Sequence, residues 1–180
     1  DSTVANNSAG FGGALYNSGS AAAITITDST LSNNSATQNG GFMMNDSGSA
    51  TIIRSTVSGN SSSGTAGNGA IYNFEADLDI VDSTFTGNTS TTSVGAVQNF
   101  AGTTNIANSE FAGNSAANTS GAVLNNAGGV MTITNSMFTG NRAGNAAGAL
   151  TNNVSSTLRI TNGTFAGNSA TTGGGIFVSG

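Results

Sequence analysis

The chain has 180 residues, a formal net charge of −5, and only three cationic and eight acidic side chains. Cysteine, histidine, proline and tryptophan are absent, which excludes thiolate and imidazole zinc sites and Ser/His or Cys/His catalysis. Arg54, Arg142 and Arg159 are too few and too scattered for the clustered basic surface that nucleic acid or an anionic membrane demands, and no apolar run approaches the roughly 20 residues of a spanning helix.

Asp1-Ser2-Thr3-Val4 opens a pattern that returns as Asp28-Ser29-Thr30-Leu31 and runs on to the end. Its first apolar column is Val4, Leu31, Val57, Phe85, Phe111, Phe138 and Phe165, in steps of 27, 26, 28, 26, 27 and 27 residues. Three residues after each stands an asparagine: Asn7, Asn34, Asn60, Asn88, Asn114, Asn141 and Asn168. A unit this short cannot bury its own apolar face, so the fixed period means stacked coils. Two residues before the column lie Ser2, Ser29, Ser55, Ser83, Ser109 and Ser136.

The second column follows a glycine, as in Gly13-Ala14-Leu15, Gly41-Phe42-Met43, Gly69-Ala70-Ile71, Gly95-Ala96-Val97, Gly121-Ala122-Val123, Gly148-Ala149-Leu150 and Gly175-Ile176-Phe177. Alternation from Leu15 inward and Tyr16 outward turns Asn17 inward again. Asn17, Asn45, Asn73, Asn99, Asn125 and Asn152 therefore read as a second ladder, its amides bonding to the coils above and below. The third column is Ile26, Ile52, Ile80, Ile106, Ile133 and Ile160, with strand alternation before it. Coil length varies mainly between the Asn7 and Gly13 columns, where the third coil inserts Ser61 to Asn68, read as a loop.

Three short strands per coil predict an all-β fold: a single-stranded right-handed parallel β-helix, or β-solenoid, with three sheets and about 27 residues per coil. Right-handedness follows from the preference of parallel crossovers. Residues 1–180 form one domain of seven coils, the last incomplete. Because Asp1 already stands in register and Gly180 falls partway round a coil, the chain reads as a segment of a longer repeat protein or fibre whose ends are contact surfaces.

Three surface features invite chemistry. Glu75, Asp77 and Asp79 share an outward face where a calcium ion could bridge oxygens, although adjacent coils offer Thr51 and Asn105 rather than acids; no metal or cofactor is expected. A glycosidase would need a second carboxylate across a cleft, which the spacing does not supply. Arg54 interrupts the column Asp1, Asp28, Asp82, Asn108, where it relieves like-charge repulsion between Asp28 and Asp82. The outward column Tyr16, Met44, Tyr72, Gln98, Leu124, Thr151 and Val178, with Phe74 and Phe100 two positions on, forms an apolar stripe, either an interaction surface or a stripe covered by its own loops. Thr25, Thr27, Thr132 and Thr134 suggest an ice-binding array, but Asp79, Asn105, Ala107 and Arg159 break the lattice.

The pattern resembles the polymorphic outer membrane protein repeat, with its paired GGA(I/L/V) and FxxN motifs. Gly12-Gly13-Ala14-Leu15 carries the first, and Phe85 to Asn88, Phe111 to Asn114, Phe138 to Asn141 and Phe165 to Asn168 carry the second. Val4, Leu31 and Val57 depart from it at the phenylalanine position. The resemblance implies a surface-exposed, secreted β-helix used in adhesion. The expected function is an extracellular or cell-surface structural module, not an enzyme, that builds a filament or stalk by self-association, end to end and laterally. An adhesin or carbohydrate-binding rod engaging a host surface or glycan is the alternative, and an ice-binding or polysaccharide-degrading β-helix the remote one. Neither nucleic acid nor membrane insertion is expected.

Overall fold

The structure is a computed structural model that describes residues 1–65 and 67–180. Its first coil contains β1 (Thr3–Ala5), β2 (Ser8–Ala9), β3 (Leu15–Ser18) and β4 (Ala23–Thr27). Each pairs in parallel with its counterpart one coil on. Repetition gives four parallel sheets of seven, six, seven and six strands, referred to below as sheets one to four in the order of β1 to β4. The molecule is thus an all-β parallel solenoid of the right-handed type with about 27 residues per coil.

Four sheets replace the three expected. The additional one stacks two-residue strands such as Ser35–Ala36 and Thr89–Ser90 directly after the first asparagine ladder. Two residues are too few to display alternation, so this sheet leaves almost no trace in the hydrophobic pattern. It also shortens the third-coil insertion: Ser61–Ser62 pairs on both sides, and Asn68 bridges to Val94. The described residues between, 63–65 and 67, form a connection outside the strands. Ser90 Oγ holds it by donating to the Gly67 carbonyl (2.7 Å), and Thr92 Oγ1 by bonding to that of Gly64 (3.1 Å).

The three apolar columns form one continuous core. Phe85, Phe111, Phe138 and Phe165 pair in register, and their rings stack nearly parallel at 4.7, 4.9 and 4.8 Å. Val97, Val123 and Leu150 make the second stack, and Ile80, Ile106, Ile133 and Ile160 the third. The final coil differs by one residue from the sequence expectation. Leu150 pairs with Ile176, and Phe177 lies opposite Thr151 and Val178 opposite Asn152. Three consecutive glycines, Gly173 to Gly175, permit two registers there, and the structure takes the one that stacks Ile176 under Leu150.

The recurrent glycine has a steric cause. A Cβ on Gly95 would overlap the Gly121 carbonyl oxygen, and one on Gly121 that of Gly148. The chain is turned at three corner columns by left-handed residues: Asn33 and Gly87 between sheets one and two, Glu75 (φ 49°) and Ala101 (φ 55°) between three and four, and Asp82 and Asn108 between four and one.

Candidate functional surface

The asparagine side chains inside the solenoid form two hydrogen-bonded ladders. In the first ladder Asn88 Nδ2 donates to Asn114 Oδ1 (2.9 Å) and Asn114 Nδ2 to Asn141 Oδ1 (3.0 Å). The same Asn114 oxygen accepts from the Asn88 backbone N–H (3.0 Å), while its amide nitrogen also donates to the Phe85 carbonyl (3.0 Å). Both acceptor sites and both donors of the amide are therefore used. The series is continuous from Asn7 through Asn34 and Asn60 to Asn168, and Asn34, Asn60, Asn88, Asn114 and Asn141 are buried.

The second ladder joins Asn17, Asn45, Asn73, Asn99, Asn125 and Asn152. Its amides also satisfy corner carbonyls, Asn73 that of Ala76 (2.7 Å) and Asn99 that of Gly102 (2.8 Å). Two further ladders emerge from the structure. Ser29, Ser55, Ser83 and Ser109 each take the hydroxyl oxygen of the next serine as acceptor for their backbone N–H, at 3.1 Å. On the outside, Asn162 donates to Asn135 and Asn135 to Asn108. Both columns are visible in the sequence; the signal passed over is that a polar residue beside a corner recurs every coil.

Arg54 meets its partner on one side only. Its Nε and Nη2 bind the two carboxylate oxygens of Asp28 at 2.7 Å each, whereas Asp82 acts on it through charge alone. Stacking between two aspartates was expected, but the planar guanidinium is committed to a single bidentate fork. The hydrogen bond from Arg54 holds the Asp28 carboxyl below its ordinary value.

The outward column of the third sheet is largely covered. Met44, Tyr72, Gln98 and Leu124 are buried, and Thr151 is fully enclosed, so over these coils the column follows the second of the two alternatives, a covered stripe. Thr151 Oγ1 donates to the Thr119 carbonyl (3.3 Å), which places the connection between sheets two and three over this face. Tyr16, in the first coil, is 50% exposed and its hydroxyl donates to Asp46 Oδ2 (2.9 Å). Phe74 and Phe100 are half-buried, stacked at 5.4 Å, with Tyr72 tilted against both. Burial, then the charges of Glu75 and Asp46, push the Tyr72 phenol up to about 12. Gln98 Oε1 is buried without a hydrogen-bond partner.

Asp77 and Asp79 lie outward on the fourth sheet and Glu75 at the corner before it. Asp79 accepts from Asn105 Nδ2 (2.9 Å). Among the described residues no three acidic side chains gather closely enough to hold a metal ion.

Fold and ladders together define a parallel β-solenoid repeat protein. Residues 1–18 match the Chlamydia polymorphic membrane protein (Chlamydia_PMP) repeat, a span that contains Val4 to Asn7 and Gly12-Gly13-Ala14-Leu15. The motif resemblance is met on this first coil. No curated protein and no solved structure matches the chain.

Proposed function

We propose that the chain is an extracellular structural solenoid that builds a surface filament or stalk by coil stacking. The observation that carries this reading is the one-way sense of the ladders. From Asn7 to Asn168 each amide nitrogen donates toward the following coil. A coil docking before Asn7 meets an acceptor, and one docking after Asn168 meets a donor. The two faces of a coil are complementary to each other and not to themselves, so coils stack head to tail and the array propagates instead of closing. The match to a membrane-protein repeat supports placement at a cell surface.

Sedimentation velocity across a wide concentration range, with electron microscopy of the same samples, tests the proposal. Rods that lengthen at constant width are the expected result. A monodisperse monomer at every concentration, or globular clusters that grow in all directions, would remove the support for stacking.

A further inference from the structure

The corner between sheets three and four is not uniform along the rod. In the second, third and fourth coils two residues join the strands: Ser47 and Gly48, Glu75 and Ala76, Ala101 and Gly102. The first, fifth and sixth coils use longer connections, residues 19–22, 127–129 and 153–156. Three short corners in succession between longer ones leave a notch, a groove of about 380 Å³, within the roughly 300–1,000 Å³ of small-molecule sites. Gly48, Ala76 and Gly102 form its floor and Ser20 one wall. The floor is kept low by sterics: a Cβ on Gly48 would meet the Ala22 carbonyl oxygen at 2.8 Å, and one on Gly102 would overlap that of Ala76.

Ser47, Ser49, Thr103, Glu75 and Asp77 line the notch around this floor, the Ser47 hydroxyl donating to Asp46 Oδ1 (3.0 Å). Ser47, Ser49, Glu75 and Asp77 are exposed. The lining is almost wholly polar; the stacked pair Phe74 and Phe100 lies one residue before Glu75 and Ala101, outside the groove.

We infer that this notch binds a neutral oligosaccharide. Sugar hydroxyls both donate and accept, and the notch offers the matching mixture: carboxylates that accept, and Ser and Thr hydroxyls that do either. A cation such as calcium asks for acceptors alone, about six or more oxygens, and two carboxylates with scattered hydroxyls do not assemble them. An acidic saccharide would be repelled, since no arginine lines the groove. The site lies on the flank of the rod, so it does not depend on end-to-end stacking.

Saturation-transfer NMR with cellotriose, maltotriose and tri-N-acetylchitotriose at millimolar concentration tests the inference. At least one should show transfer. Asp77→Asn removes a charged acceptor and Ser49→Trp fills the notch, and each should weaken that binding by about tenfold or more. Thr157→Trp changes the same outward column two coils beyond the notch and should leave binding intact. Circular dichroism of all three variants confirms that the solenoid has formed. Absence of transfer from all three sugars, or transfer that survives both notch variants, overturns the assignment. So does transfer seen only from an oligoarginine peptide and abolished by salt, which would assign the notch to a basic chain. Elongation is read separately by sedimentation, so failure of either proposal leaves the other standing.

Discussion

Asn114 shows what a single side chain contributes. Replacing it with leucine strands the Asn88 backbone N–H, an Asn88 amide proton and the Phe85 carbonyl, each an unsatisfied buried group worth about 1–3 kcal/mol. Asn114→Leu is expected to lower stability by about 3 kcal/mol or more despite its added apolar volume, as a fall in the urea midpoint would register. Gln98 is the opposite case. Its buried Oε1 has no partner, and Leu124, its neighbour one coil on, is buried in the same column. Gln98→Leu should therefore raise the midpoint, by about 1–2 kcal/mol. At Arg54 the pair is exposed, and Arg54→Gln should leave the midpoint unchanged. What should change is the titration of Asp28. With its folded pKa depressed, Asp28 contributes stability that is present above its unfolded pKa and lost as pH falls through the folded one. NMR titration of the Arg54→Gln variant should find that carboxyl protonating at higher pH. The asparagine ladders were legible residue by residue, because a buried polar side chain must recur in step with its partners. The orphaned Gln98 was not, because the alternation of its own strand does not show that the connection between sheets two and three passes over it.

Strands and corners are the next scale. The columns through Phe111, Val123 and Ile133 could be read because each strand holds at least one large inward residue per coil. The two-residue sheet lacks such a residue, and the last coil's glycine run hides its register. Corner geometry is encoded differently, by backbone conformation. Ala101 sits at φ 55°, where an L-residue costs about 1–2 kcal/mol, partly offset in a glycine variant by the greater freedom of the unfolded chain. Ala101→Gly is expected to stabilise by about 0.5–1 kcal/mol. Gly121→Ala should do the reverse, because its Cβ would collide with the Gly148 carbonyl; a cost of about 2 kcal/mol or more is expected. Thermal denaturation of the two variants side by side would show shifts of opposite sign. The notch was also written in the sequence, as the distance from the second ladder to the isoleucine column. Asn45 to Ile52, Asn73 to Ile80 and Asn99 to Ile106 are each seven residues apart, whereas Asn17 to Ile26 is nine and Asn125 to Ile133 eight. A difference of one or two residues at a corner decides whether the surface is raised or recessed there, and it is invisible until the period itself has been aligned.

At the scale of the whole molecule, the register that joins every coil to the next has a consequence for how such a chain can change length. Asn108 and Asn135 occupy the same place in successive coils, as do Ala107 and Thr134. Removing residues 108–134 would join Ala107 to Asn135 and bring Phe138 under Phe85, Asn141 under Asn88 and Ile160 under Ile106. Such a variant should fold with an unchanged β-rich spectrum, and small-angle scattering should find the rod shorter by about 4.8 Å, one strand spacing. A cut one residue shorter would leave an extra residue at the corner between sheets four and one, where the isoleucine and phenylalanine columns are five residues apart in every coil, and should fold with lower stability. The solenoid behaves as a ruler graduated in whole coils. Gain or loss of one repeat in the gene alters reach by one graduation and leaves every ladder intact, whereas a change of one or two residues is absorbed only at corners whose length already varies between coils, as between sheets three and four.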